Sequence, residues 1–131
     1  MKQPLMLFDD EPETPREEGF VKALSVQEPW LSMIVSGRKT IETRSFPTKY
    51  RGTLLLCGSK KVKGIYAGVA ACLVDLVDCQ PMMPEDRIPA CCDLYPRAYS
   101  WFLENVRKVE PVPIKGTLGI FDVEKWKVRE L

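Results

Sequence analysis

Between Ser36 and Gly64 the chain carries eight basic residues, Arg38, Lys39, Arg44, Lys49, Arg51, Lys60, Lys61 and Lys63, and a single acid, Glu42. Cations with Trp30, Tyr50 and Tyr66 interleaved are the residue types that meet phosphates and stack on bases. A solvated charge run that merely keeps a protein soluble would use the same types, so composition alone leaves both readings open. Glu42 is the chemically distinctive member. Its carboxylate can accept hydrogen bonds from a base edge, orient Lys39 or Arg44, or act as a base. A same-face pair with Arg44, adding only a fraction of a kcal/mol, is its plainer role. Lys39, crowded by Arg38 and Arg44, has the surroundings of a nucleophile or proton shuttle, or of a phosphate contact. The chain has no histidine, so acid–base work near neutral pH would fall to other side chains.

The elements around this cluster can be read from period and punctuation. Residues 20–26 alternate well enough for a strand. A short helix then opens at residues 27–30, where Pro29 suits a first turn, and Trp30, Met33 and Ile34 form its apolar stripe. Gly37 stands where a left-handed residue ends a helix. A strand over 40–44 puts Thr40, Glu42 and Arg44 on one face and Ile41 and Thr43 on the other. Pro47 and Gly52 bound a loop carrying Lys49, Tyr50 and Arg51. The apolar run 53–57 has the pattern of a strand covered on both faces, with Ser59 and Lys60 at its end. Residues 65–78 read as a buried strand. An irregular crossover then runs over 79–96, of a length that often carries function, followed by a helix over 96–108 and a strand pair at 112–114 and 117–123.

The molecule as a whole is nearly neutral, at +1, so the charge of the cluster is local. Residues 1–19 read as an acidic, proline-containing tail with six acids against Lys2 and Arg16, and the remainder carries about +5. Residues 20–131 form one domain, long enough to bury a core without disulfides or structural metal. The fold class is α+β: a mostly antiparallel sheet of five or six strands curling into a small barrel, with two main flanking helices. No apolar run reaches membrane-spanning length and no secretory leader is visible, so a cytoplasmic protein is expected. Five cysteines without C-x-x-C spacing read as reduced thiols. No metal and no cofactor are expected.

Pro29-Trp30, the run from Ser36 to Arg44, the run from Thr48 to Gly52, and Ser59-Lys60 together resemble the ASCH domain, the activating-signal-cointegrator homology domain. Gly37, Lys39, Glu42 and Arg44 match its G-x-K-x-x-E-x-R hallmark, and the likeness extends over about residues 21–123. The resemblance implies a PUA-like barrel with a cleft between helix and barrel for RNA, single-stranded nucleic acid or a modified nucleoside. The residues expected to bind are Trp30, Lys39, Glu42, Arg44, Lys49, Tyr50, Arg51, Ser59 and Lys60. Similar proteins include hydrolases of acylated cytidine that use a lysine and a threonine three residues later. Lys39 matches the lysine, but Glu42 stands at the threonine position. Others cleave single-stranded RNA, so a metal-independent enzyme with Lys39 and Glu42 as catalytic pair is the alternative. A third reading is an adaptor that meets a protein partner through residues 79–96.

Overall fold

Residues 19–131 are described by a computed structural model, and the acidic run of residues 1–18 lies outside them. Six strands make one sheet: β1 (Phe20–Val26), β2 (Ile41–Arg44), β3 (Gly52–Gly58), β4 (Ala70–Pro81), β5 (Tyr99–Lys108) and β6 (Ile120–Glu124). The helices are short, α1 (Trp30–Val35) and α2 (Arg87–Ala90). Strand order is β2-β5-β4-β3-β1-β6. β1 and β3 run parallel, and the other neighbouring pairs are antiparallel.

β3 explains where the core sits. Its alternation sends Leu54 and Leu56 to one face of the sheet, where they meet Leu31 and Ile34 of α1, Tyr50 and Trp101. Leu55 and Cys57 face the other way, against Ala23, Val109, Ile114 and Val123. Both faces are therefore covered, as the continuous apolar run predicts. Each fully buried leucine contributes roughly 1.5–3 kcal/mol of transfer free energy to the fold. A third, smaller cluster of Ile41, Met82, Ala90 and Ala98 packs the crossover onto β2.

Three expectations are corrected. The sheet stays open, because neither β2 nor β6 gains a second strand partner among the described residues. At the β2 edge the crossover takes that place: Thr40 donates its amide to Pro89 O at 2.9 Å, a covered edge of the kind that needs no further strand. The helix expected over 96–108 is a strand, β5. Its apolar residues satisfy a helical spacing, but Trp101 and Leu103, two apart, enter the main core while Phe102 turns to the third cluster. Pairing to both β2 and β4 overrides the local pattern. The pair expected at 112–114 and 117–123 reduces to an isolated bridge at Pro113 and a strand that begins only at Ile120.

Local hydrogen bonds close both ends of α1. Glu28 accepts from the Ser32 amide at 2.9 Å and from Ser32 Oγ at 2.8 Å, satisfying a first-turn donor. Gly37 adopts φ +88°, and the Lys39 amide returns to Met33 O at 3.0 Å. The chain thus leaves the helix and enters β2 within a few residues. Only Leu31 and Ile34 of α1 are fully buried. Trp30, expected in the core stripe, is 36% exposed.

Candidate ligand-binding cleft

The alternation of β2 places Glu42 and Arg44 side by side, while Ile41 turns to the third cluster. Arg44 Nε donates to Glu42 Oε2 at 2.9 Å, and Arg44 Nη2 donates to Ser25 O at 2.6 Å. These two bonds fix the guanidinium between β2 and the end of β1. On its other side Glu42 Oε1 lies 3.7 Å from Lys39 Nζ. The carboxylate is 7% exposed and sits between two cations. A carboxylate placed so is a fixed acceptor, its orientation set before any ligand arrives.

Glu42 and Arg44 line a cleft of about 630 Å³ whose rim comes from three further segments. Trp30 of α1 forms one wall. The turn after β3 supplies Ser59, Lys60 and Lys61, and the loop before β6 supplies Lys115, Gly116 and Thr117. Arg44 and three lysines line the cleft against one carboxylate, Glu42.

Glycines allow these loops to approach. A Cβ at Gly58 would lie 1.8 Å from Tyr66 O, an overlap no side chain could relieve. The Gly58 amide donates to Val69 O and Gly58 O accepts from the Gly68 amide, both at 2.9 Å, so the neck of the 59–67 loop is closed. A Cβ at Gly116 would come 2.4 Å from Ser25 Oγ, so a side chain there would have to displace that hydroxyl at the cleft floor. The Ser59 amide is held by Val26 O at 3.0 Å.

Among the residues expected to bind, Trp30, Glu42, Arg44, Ser59 and Lys60 come together at the cleft. Lys39 touches Glu42 but is 2% exposed and lies behind it. Its ammonium donates to Ala90 O and stands 5.3 Å from the centroid of the Trp30 ring. Lys49, Tyr50 and Arg51 do not line the cleft. Tyr50, expected to stack, is a core residue, 1% exposed, whose hydroxyl donates to Thr53 O. Burial first, and then the Asp75 carboxylate, push its pKa up to about 12. Arg51 is taken by Thr48 O and Tyr50 O, each at 2.9 Å, and lies 3.7 Å from Asp78. Lys49 is exposed elsewhere.

Lys61, Lys115, Thr117, Ser25 and Gln27 line the cleft without having been singled out as ligand contacts. Their signal is long-range. Lys115-Gly116 reads as a plain hairpin turn until β6 is paired with β1, which brings Ile120 opposite Leu24. In the crossover expected to offer a protein surface, Met83, Ile88 and Leu94 stand exposed, outside the cleft lining.

An open mixed sheet with a short helix packed beside it, and a G-x-K-x-x-E-x-R run bringing acid and arginine to the cleft, defines the class. The ASCH domain family matches residues 24–113 of this chain, and the chain belongs to that family. Among solved structures it is similar to the ASCH protein of Zymomonas mobilis, with a TM-score of 0.61 and 13% identity over 81% of this chain and 89% of that one. Two single-substitution variants of that protein align alike. One has a TM-score of 0.59 at 14% identity, covering 79% of this chain and 90% of its own. The other has a TM-score of 0.57 at 14% identity, covering 79% and 88%. At such identity the likeness is one of fold. A comparison with curated protein sequences returns no match.

Proposed function

We propose that the cleft binds an unpaired base of RNA or a modified nucleoside in the cytoplasm. The observation that carries this reading is Glu42, a mostly buried carboxylate fixed by Arg44 and Lys39 at a cleft whose other charged lining residues are all cations. A base edge offers N–H groups for such an acceptor, and Trp30 offers a ring face for stacking. Lys60, Lys61 and Lys115 supply charge for the backbone phosphates. A pure phosphate site would have no use for the carboxylate, and a pure hydrophobic pocket no use for the lysines.

Membership of the ASCH family supports an RNA connection. The arrangement weighs against Lys39 as a nucleophile, since its amine is enclosed and already donates to a carbonyl. It also weighs against Glu42 as a free base, since both its oxygens face cations. Binding is therefore preferred to turnover. The test is the affinity of the protein for short single-stranded RNA measured across salt concentration. The expected result is a fall that is linear in log–log form. An affinity independent of salt overturns the phosphate part of the reading.

A further inference from the structure

We propose that Lys39 is a positioning residue that sets the spacing of the stacking ring and the base acceptor and never touches the ligand. The ligand arm of this proposal rests on the reading of the cleft given above. The Lys39 ammonium is enclosed by three neighbours, one through a hydrogen bond and two through its charge. One proton goes to Ala90 O, Glu42 Oε1 lies at 3.7 Å, and the Trp30 ring centroid lies at 5.3 Å. At 2% exposure and outside the cleft lining, the ammonium is closed off from a bound molecule. The three partners belong to three elements: Trp30 opens α1, Glu42 is on β2, and Ala90 is the last residue of α2.

The backbone around Lys39 reinforces the same geometry. Its amide is tied to Met33 O of α1 at 3.0 Å, and the following residue, Thr40, is tied to Pro89 O at 2.9 Å. The Ala90 carbonyl is one of the end carbonyls of α2 that intrahelical bonds leave over, and a cation there is favourable. One side chain therefore holds the wall of the cleft, its acid and the crossover in a common register. Removing the charge while keeping the length should release all three. Trp30 loses the cation beside its face, Glu42 keeps only Arg44, and Ala90 O loses its donor.

The experiment compares wild-type protein with Lys39→Met by ¹⁵N NMR and by binding of a mixed-sequence octanucleotide RNA. The Trp30 indole signal is assigned with Trp30→Phe. The expected result is displacement of the Trp30 indole and of the Glu42 and Cys91 amides, with the Trp126 indole, beyond the far end of β6, unmoved. The RNA affinity should fall about tenfold, as for a misaligned hydrogen-bond acceptor, while the slope of log affinity against log salt stays at the wild-type value. A slope smaller by about 0.7 would mean that Lys39 meets a phosphate, and would overturn the proposal. So would Trp30 and Cys91 signals that do not move. If Lys39→Met does not fold, Lys39→Gln, which keeps a donor for Ala90 O but no charge, is expected to displace the Trp30 indole in the same way, and an unmoved signal there also overturns the proposal. Should wild-type protein bind no RNA, the reading of the cleft fails, while the displaced or unmoved NMR signals still decide the role of Lys39.

Discussion

Arg44 Nε and Glu42 Oε2 lie 2.9 Å apart, two residues along the same strand, and they present a charge-assisted pair to the cleft. Because Glu42 also faces Lys39, the pair belongs to a partly enclosed triad rather than to a solvated surface. Glu42→Gln should therefore act twice. It leaves Lys39 enclosed without its counter-charge, and breaking such pairs costs about 3–5 kcal/mol when fully buried, so a clear drop in thermal stability is expected. It also weakens the acceptor toward a base edge, lowering RNA affinity by roughly ten- to a hundredfold. Calorimetric melting and isothermal titration read the two effects separately.

Replacing Lys60, Lys61 or Lys115 by Met should leave the fold intact, since all three side chains stand on exposed loops. Each that meets a phosphate should reduce the salt slope of single-strand binding by about 0.7. Fluorescence anisotropy at several salt concentrations checks this. A slope unchanged in all three variants would remove these lysines from the interface.

Tyr50 gives a control in the opposite sense. Tyr50→Ala is expected to destabilise by about 3–5 kcal/mol, as other large aromatic truncations in cores do. Tyr50→Phe should cost about 1 kcal/mol through the lost bond to Thr53 O. Neither should alter RNA affinity in the folded fraction. Denaturant titration with a parallel binding assay separates a core role from a stacking one.

The acid–base behaviour of the core is also predicted. Burial pushes the Cys57 and Cys72 thiols from 9.0 up to about 12 and Tyr50 from 10.0 to about 12. These groups ionise more readily in the unfolded chain than in the folded one. Stability is therefore unaffected by them below about pH 9 and falls as the pH climbs from there toward 12. Melting temperature against pH reads this window. In native protein at pH 8, iodoacetamide should spare Cys57 and Cys72, which are free but enclosed, and label Cys91 and Cys92 first.

What was legible in the sequence was chiefly what short-range geometry decides. Gly37 at φ +88° and the period-two alternation of residues 41–44 sufficed to place Glu42 and Arg44 side by side. The unbroken run from Thr53 to Cys57 sufficed to mark β3 as covered on both faces. What escaped depended on partners distant in the chain. β5 becomes a strand because β2 and β4 flank it. Tyr50 sits between Lys49 and Arg51 and reads as exposed. It is drawn inward because its loop is pinned to the core, with Trp101 Nε1 donating to Phe46 O at 3.2 Å. Lys39 shares a charged run with exposed neighbours, and it is enclosed in part by a partner distant in the chain, the crossover carbonyl of Ala90.

The most direct test of the cleft as a base-binding site is chemical-shift mapping of the ¹⁵N-labelled protein titrated with short single-stranded RNA. Perturbations are expected at the Trp30 indole, at Glu42 and Arg44, and along residues 59–61 and 115–118, with the 84–93 crossover changed less. Shifts concentrated on the crossover or the far end of β6, or no shifts at all at low salt, would contradict it.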